Sequence, residues 1–225
     1  MSQQLSEQEI QRRKDLQEII DLGIEPYPAA LYPVSVKAKE VLENFEADKE
    51  AYQEVCMAGR LMSKRIMGKA SFGELMDSTG RIQCYFNRDE ICPDEDKNLY
   101  NKVFKKFLGL GDFIGVKGHV FTTQTGQISV HVTELTVLSK SIKPLPVVKV
   151  DDDGNVYDGF NDPEQRYRQR YVDLVVNPGV KDVFIKRNAV IKTMRDFFNS
   201  HDYFEVDTPV LQPIPGGAAA RPFIT

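Results

Sequence analysis

The stretch VCMAGRLMSKRIMGKASFGELMDSTGRIQCYFNR, residues 55–88, decides the fold. It predicts three short strands at 55–63, 69–77 and 81–88, with a Ser-Thr-Gly turn before the third. Two sets of residues alternate along that third strand: Ile82, Cys84 and Phe86 on one face, and Gln83, Tyr85 and Asn87 on the other. This period of two indicates a strand that is buried on one side.

The next residues complete a five-stranded pattern. A helix is predicted at 94–110, and two further strands at 112–123 and 128–138 are joined by the turn QTGQ. Three strands, a helix and two strands follow the order of an OB-fold barrel. SH3-like barrels also have five strands, but a helix of this length after the third strand favours the OB fold.

The flanks of the barrel differ in character. Residues 5–22 have the apolar spacing of a helix that ends at Gly23, and a proline-rich and then polar stretch leads to about Tyr52. After Lys140, prolines and an acidic segment indicate a linker. Residues 163–177 and 183–200 are predicted to be helical, and 202–212 to be a strand that Pro209 interrupts.

These patterns divide the chain into four parts. We expect an N-terminal helix and lead-in at 1–52, an OB domain at 53–140, a linker at 141–165, and the start of a second, α+β domain at 166–225. One long helix and one strand cannot close a hydrophobic core, so we expect this last part to belong to a larger domain.

Composition excludes several classes of protein. The formal net charge of -4 excludes a simple basic coat protein for nucleic acid, although it permits a local basic patch. No stretch is apolar enough for a membrane span, and the first residues lack the pattern of a signal peptide. Three cysteines without C-x-x-C spacing indicate reduced thiols, and three scattered histidines make a metal cluster unfavourable. We therefore expect a cytoplasmic protein.

A local basic patch lies on the first two strands. Between Val55 and Gly73 the chain has no acidic residue, and its cations are Arg60, Lys64, Arg65 and Lys69. Phe72 ends the patch. Cations that neutralise phosphates, with a ring that stacks on a base, are what an OB sheet needs to bind single-stranded nucleic acid. The alternative is a solvated strand face with Phe72 in the core.

Two further polar residues could contact bases. The amide of Gln83 can both donate and accept hydrogen bonds, and Glu134 lies where the apolar alternation of the fifth strand changes phase. A carboxylate there could accept from a base N–H. The alternative is that both residues are simply exposed side chains.

Two segments near the C-terminus have weaker signals. The arginines of RYRQRYVDL, residues 166–174, could hold phosphates, but a helix with salt bridges to its own domain is the better interpretation. In GGAAARPF, residues 216–223, the glycines would let backbone approach a ligand closely, and a simple loop is the alternative.

Three of these segments carry a resemblance. GRLMSKRIMGKASFGELMDSTGRIQCY, RYRQRYVDL and FEVDTPVLQPIPGGAAARPFIT together resemble the bacterial-type lysyl-tRNA synthetases, class II enzymes of the aspartyl, asparaginyl and lysyl subgroup. The resemblance covers nearly the whole chain from about residue 5. It implies an N-terminal OB anticodon-binding domain ahead of an α+β catalytic domain, of which this chain would hold only the start.

The resemblance also implies roles for single residues. Phe72 matches the aromatic that stacks on the central uridine of the anticodon, and Arg65, Gln83 and Glu134 match polar residues that contact anticodon bases. We place Lys64 and Arg60 beside them as cations of the same surface. The helix near 183–200 and Pro209 match motif 1, which forms the dimer interface, and Gly216 matches a glycine that lies against the lysine substrate.

For the activity, the resemblance implies a lysine–tRNA ligase that uses ATP and Mg2+, binds tRNA and no DNA, and forms a homodimer. Motifs 2 and 3, which hold ATP in the family, would follow Thr225, so we expect no catalytic residue, and neither ATP nor Mg2+, on the chain as given. Three alternatives stay open: a non-catalytic OB protein that binds single-stranded RNA or tRNA, a dimerisation fragment, and an aspartyl- or asparaginyl-type relative, against which GGAAARPF argues.

Overall fold

A computed structural model describes residues 5–146, 149–150, 156–157 and 159–209. The chain forms two compact units, Met1–Pro146 and Val147–Thr225. No helix in the described part is long and apolar enough to cross a membrane.

The first unit is built around a closed barrel of five strands: β1 (Val55–Met67), β2 (Ala70–Met76), β3 (Arg81–Asn87), β4 (Phe113–Thr122) and β5 (Ile128–Ser139). The strands neighbour one another in the order β1-β2-β3-β5-β4, and β4 closes the barrel against β1. The pair β3–β5 is parallel and the other pairs are antiparallel. This arrangement confirms the OB fold expected from the order of elements.

The barrel encloses apolar residues from every strand. Ile82, Cys84 and Phe86 of β3 are buried, as their alternation predicts. On β1 the alternation is interrupted, because the pairing with β2 shifts between Leu61 and Ser63. An irregularity of this kind adds one residue to a strand and changes which later side chains point inward. The pairing shift therefore decides on which side of β1 the side chain of Lys64 lies.

The helix between β3 and β4 is shorter than the predicted 94–110 and is of the π type, at Leu99–Phe107. The N–H of Leu108 donates to the carbonyl of Val103 at 2.8 Å, the i→i−5 pattern of this wide helix. Tyr100, Val103 and Phe104 are fully buried against the barrel, and the Phe104 and Phe86 ring centroids lie 4.3 Å apart. A short helix α3 (Arg88–Ile91) precedes it.

The N-terminal helix α1 (Glu7–Asp21) confirms the prediction for 5–22. Ser6 and Glu9 form a reciprocal capping box, and Gly23 ends the helix with a φ of 76°. The lead-in contains two elements that the polar sequence did not predict: α2 (Ala38–Asn44) and one turn of 3₁₀ helix (Glu50–Tyr52). Val41 and Phe45 join the core, so this stretch is packed rather than extended.

The second unit holds a two-stranded pair, β6 (Lys149–Val150) and β7 (Val156–Tyr157), and helices α4 (Pro163–Arg168), α5 (Arg170–Val176) and α6 (Val180–Asn199). The predicted helices are confirmed. The predicted strand at 202–212 is wrong for residues 202–209, which form no strand among the described residues, and its last three residues lie outside the described part. A strand needs a hydrogen-bonded neighbour, and the backbone bonds recorded here run from the N–H groups of Asp202 and Tyr203 back to the end of the preceding helix, at Asn199 and Phe198.

Candidate nucleic-acid interface

Strand register places five side chains in one row across the outside of the barrel. Arg65 of β1 pairs with Phe72 of β2, which pairs with Tyr85 of β3; Tyr85 pairs with His131 of β5, and His131 with His119 of β4. All five alternate with inward-facing neighbours and are at least partly exposed. We call this set the aromatic row.

A second row runs beside it and consists of Ser63, Glu74, Gln83, Ser129 and Phe121 in the same strand order. All residues of the two rows except His119 and Ser129 line a cleft of about 890 Å3, and the β4–β5 turn forms a polar wall of this cleft. The lining residues from that turn are Thr123, Gln124, Thr125 and Gln127. The cleft therefore joins rings, a guanidinium and amides on a single face.

The rings of the cleft contact one another. The centroids of Phe72 and Tyr85 lie 5.2 Å apart, and those of Tyr85 and His131 lie 5.0 Å apart. Phe121 lies 5.5 Å from His131. The structure thus places Phe72 on the outer face rather than in the core, at one end of a continuous aromatic platform on which a base could stack.

Two of the predicted polar residues flank Phe72 in this cleft. Arg65 is exposed, and within the described residues its guanidinium has no hydrogen-bond or ion-pair partner. Gln83 accepts a hydrogen bond from the Ser129 hydroxyl at 2.9 Å through its Oε1. This bond orients the amide and leaves its Nε2 donor without a partner among the described residues. The negative charge of Glu74 is offset by Arg81 at 3.0 Å.

Lys64 has a different role from the one expected. Its ammonium donates to the carbonyl oxygens of Phe104 at 2.8 Å, Lys105 at 3.2 Å and Leu108 at 2.5 Å, at the end of the π-helix. An ammonium has three donors, so none remains for a phosphate. Burial lowers the pKa of Lys64 to about 8. Lys64 lies in the lining of the cleft, but its ammonium caps the helix end, and a phosphate contact by this residue stays a prediction.

Arg60 also lies elsewhere. It lies near the middle of β1, paired with Met76 and Phe113, and does not line the cleft. Its Nη1 donates to the carbonyl of Gly111 at 2.9 Å, and its guanidinium carbon lies 4.3 Å from the Phe113 ring centroid. Partial burial lowers its pKa. Arg60 thus lies apart from Phe72 in the structure, and a role for it in binding the anticodon stays a prediction.

Glu134 lies on β5 outside the lining of the cleft. Its Oε2 accepts from the Lys117 Nζ at 2.7 Å, and both side chains are exposed. Lys117 precedes His119 by two positions on the same strand, so the ion pair borders the histidine end of the aromatic row. A role for Glu134 in contacting a base stays a prediction.

The sequence reasoning missed Tyr85, Phe121, His131 and His119. Each stands on the polar side of an alternating strand, which was the available signal. Their meeting on one face depends on the parallel pairing of β3 with β5, a long-range contact that no local pattern contains. Gly118 allows β4 to approach β5 here, since a Cβ would come within 1.8 Å of the His131 carbonyl oxygen.

In the second unit, the arginines of residues 166–174 form internal salt bridges. Arg166 Nε lies 2.9 Å from a carboxylate oxygen of Asp173, which is buried, and Arg170 contacts the other oxygen. Arg168 pairs with Glu164 at 2.8 Å. The interpretation that these arginines serve their own domain is confirmed. Pro209 is exposed at the end of the described part, and Gly216 lies outside the described residues.

Family comparisons agree with this fold and site. Residues 55–138 match the family described as "OB-fold nucleic acid binding domain", and residues 162–225 match "tRNA synthetases class II (D, K and N)". The chain thus belongs to the class of proteins in which a nucleic-acid-binding OB domain is followed by class II tRNA synthetase sequence.

Curated relatives narrow the class. The chain is 64% identical over 223 residues to a lysine–tRNA ligase of Porphyromonas gingivalis strain W83, and 60% identical over 223 residues to one of Christiangramia forsetii. A third lysine–tRNA ligase, of Azobacteroides pseudotrichonymphae, is 60% identical over 221 residues. The chain belongs to the lysine–tRNA ligase family. These matches cover 98–99% of this chain and 38–44% of the relatives, so the chain spans about two fifths of their length.

Proposed function

We propose that this chain binds the anticodon loop of a lysine tRNA in the cleft of its OB barrel, as part of a lysine–tRNA ligase. One observation carries the proposal: Phe72 is partly exposed in a cleft between an unpaired guanidinium, Arg65, and an amide that Ser129 orients, Gln83. Rings supply stacking for any base, cations neutralise phosphate, and a fixed amide reads a base edge.

The fixed amide favours uridine. Uracil presents a carbonyl oxygen, an acceptor, where cytosine presents an amino group, a donor. With the amide of Gln83 oriented by the bond from Ser129 to Oε1, the free Nε2 donor can bind the carbonyl and would oppose the amino group without a bond. An unpaired polar group in a closed site is costly, and this cost provides discrimination.

For the whole protein we propose the activity printed for its relatives, lysine–tRNA ligase. Lysine would be activated by ATP, with Mg2+ on the phosphates, and then passed to the tRNA in the cytoplasm. We propose ATP and Mg2+ for the whole protein only; the described residues contain no group of three or more His, Cys, Asp or Glu side chains that could hold a metal ion. We keep as proposals the four-part division of the chain, Gly216 as a lysine contact, and a homodimer formed through the segment ending at Pro209.

The decisive experiment titrates the chain with a lysine anticodon stem-loop and with a copy whose central uridine is cytidine, at fixed salt. We expect tighter binding of the uridine loop. Phe72→Leu should weaken it by about 1–3 kcal/mol through lost stacking. The matched control is Phe113→Leu, an exposed ring outside the cleft, which should bind like the wild type.

Equal, salt-sensitive binding of both loops would instead indicate a non-catalytic binder of single-stranded RNA. A DNA copy of the loop tests the preference for RNA. Unchanged affinity in Phe72→Leu would contradict the placement of the base on this ring.

A further inference from the structure

The aromatic row continues well beyond Phe72. Three inter-strand steps separate Phe72 on β2 from His119 on β4, which is roughly 14 Å at about 4.8 Å a step. A single stacked base cannot cover this length, and OB folds commonly contact about 4–16 nucleotides. The far end of the row consists of His131 and His119, whose ring centroids lie 4.8 Å apart.

These histidines are not explained by the core. His131 follows the buried Val130 on β5 and His119 precedes the buried Val120 on β4, so both rings point outward from the barrel. Nε2 of His131 is buried and has no hydrogen-bond partner among the described residues. It lies 2.6 Å from Glu90 Oε2, but the direction is not that of a ring N–H bond.

The surroundings of the pair are aromatic, and among the described residues they contain no unpaired cation. Tyr85 of β3 stands edge-on to His131, at an angle of 86° between the rings. The charged groups that face the pair are Glu90 from α3 and the ion pair Lys117–Glu134 from β4 and β5. Arg65, the unpaired cation of the row, is at its opposite end. A phosphate at this end would therefore find its positive charge on the histidines.

We propose that His119 and His131 form a second nucleotide subsite, which stacks a base adjacent to the one on Phe72 and gives its phosphate a titratable cation. The inference rests on the proposed RNA binding and extends it along the row. It commits to a neighbouring nucleotide of the same RNA strand.

Proton uptake follows from this geometry. In the free protein, burial and the neighbouring His131 lower the pKa of His119, while Glu90 opposes them. A phosphate beside the imidazole favours the charged form, so the bound state holds more protons than the free state at neutral pH. Affinity should then rise as the pH falls, by up to about tenfold per pH unit for each proton that is fully linked.

The test measures the Kd of the stem-loop across about pH 5.8–7.4, within the titration range of histidine. We expect the wild type to bind several-fold more tightly at the acidic end. The doubly substituted His119→Gln, His131→Gln chain should lose this dependence. His201 is the only other histidine of the chain, so His201→Gln is the matched control and should keep it.

A second measurement locates the base. Loops carrying an abasic nucleotide on either side of the central uridine are titrated against the wild type and the double variant. In the wild type, one of the two abasic loops should bind about 5- to 150-fold more weakly, the range for one stacked base. In the double variant the same abasic nucleotide should weaken binding only slightly, because the rings on which its base would stack have been replaced.

The outcomes separate the two proposals. If Phe72→Leu weakens binding while both abasic loops affect the wild type and the double variant equally, the second subsite is wrong and the primary one stands. A flat pH profile in the wild type also overturns the subsite. If Phe72→Leu has no effect, the proposed function itself fails.

Discussion

The ammonium of Lys64 lies 2.8 Å from the carbonyl oxygen of Phe104, and it caps the end of the π-helix from the neighbouring strand β1. This hydrogen bond connects strand β1 of the barrel to the π-helix that packs against the barrel. The sequence predicts that this lysine binds RNA, whereas its contacts in the structure are with the folded chain, and the two roles can be separated by measurement.

Replacing Lys64 by methionine should lower the free energy of unfolding by about 1–3 kcal/mol, the cost of leaving buried acceptors unsatisfied. Methionine retains the apolar stem but cannot donate to the carbonyls of Phe104, Lys105 and Leu108. Urea unfolding measures the change. RNA binding supplies the contrast: its salt dependence should be unchanged in Lys64→Met and shallower in Arg65→Met. A shallower slope in Lys64→Met would restore the phosphate role.

Lys64 should also make stability depend on alkaline pH. Burial lowers its pKa in the folded chain to about 8, from an ordinary value of 10.5. Between these values the unfolded chain binds more protons than the folded one, so stability due to this group rises as the pH increases from about 8 to 10.5.

The unfolding free energies of the wild type and of Lys64→Met are measured across this pH range, and their difference is followed. Tyrosines titrate in the same range, but they are present in both proteins, so their contribution to the difference largely cancels. The wild type should gain on the variant as the pH rises. A constant difference would mean that the ammonium is solvated in the folded chain.

The limits of sequence reasoning are visible at the same residue. Alternation in residues 81–88 predicts β3 correctly, because its inward and outward faces are set by local period alone. The side of β1 on which Lys64 lies depends on the pairing shift between Leu61 and Ser63, and its partners depend on where the π-helix ends. Both are tertiary facts, and no spacing of charges along residues 55–73 contains them.

The candidate site likewise has one part that the sequence predicts and one part that depends on tertiary pairing. Phe72 and Arg65 lie close in sequence on a predicted pair of strands, so their meeting across β1 and β2 could be expected. Tyr85 and His131 are far apart in sequence and meet through the parallel β3–β5 pair. Only the three-dimensional register extends the binding face from one ring to a row.

Gln83→Glu should change which base the cleft prefers. The carboxylate can still accept from the Ser129 hydroxyl, but its second oxygen is an acceptor where the amide has a donor. An acceptor matches the amino group of cytosine rather than the carbonyl of uracil. We expect the preference for the uridine loop to fall by about 1–3 kcal/mol, alongside a general loss of affinity from the added negative charge.

The ratio of the two Kd values, measured at one salt concentration, checks this prediction, since the general repulsion cancels in the ratio. Ser129→Ala is the companion variant. It removes the bond that orients the amide, and it should reduce the preference while leaving stacking on Phe72 intact. An undiminished uridine preference in Gln83→Glu would show that the base edge is read by another group.

Asp112 should be the most sensitive charged residue of the first unit. Its carboxylate lies 2.8 Å from the Lys140 ammonium, and both side chains are completely buried. The same carboxylate accepts from the backbone N–H groups of Ser141 at 2.7 Å and Gly109 at 2.8 Å. The Asp112 carboxylate therefore connects the barrel to the segment that follows β5.

Asp112→Asn keeps the shape and one acceptor but leaves the Lys140 ammonium buried without a counter-charge. The expected loss is about 3–5 kcal/mol of unfolding free energy, since removing one partner leaves the other charge uncompensated in a low dielectric. The matched control is Glu43→Gln, which breaks the exposed Lys39–Glu43 pair and should cost at most about 1 kcal/mol. Equal losses in the two variants, measured by urea unfolding, would mean that water reaches the Asp112–Lys140 pair.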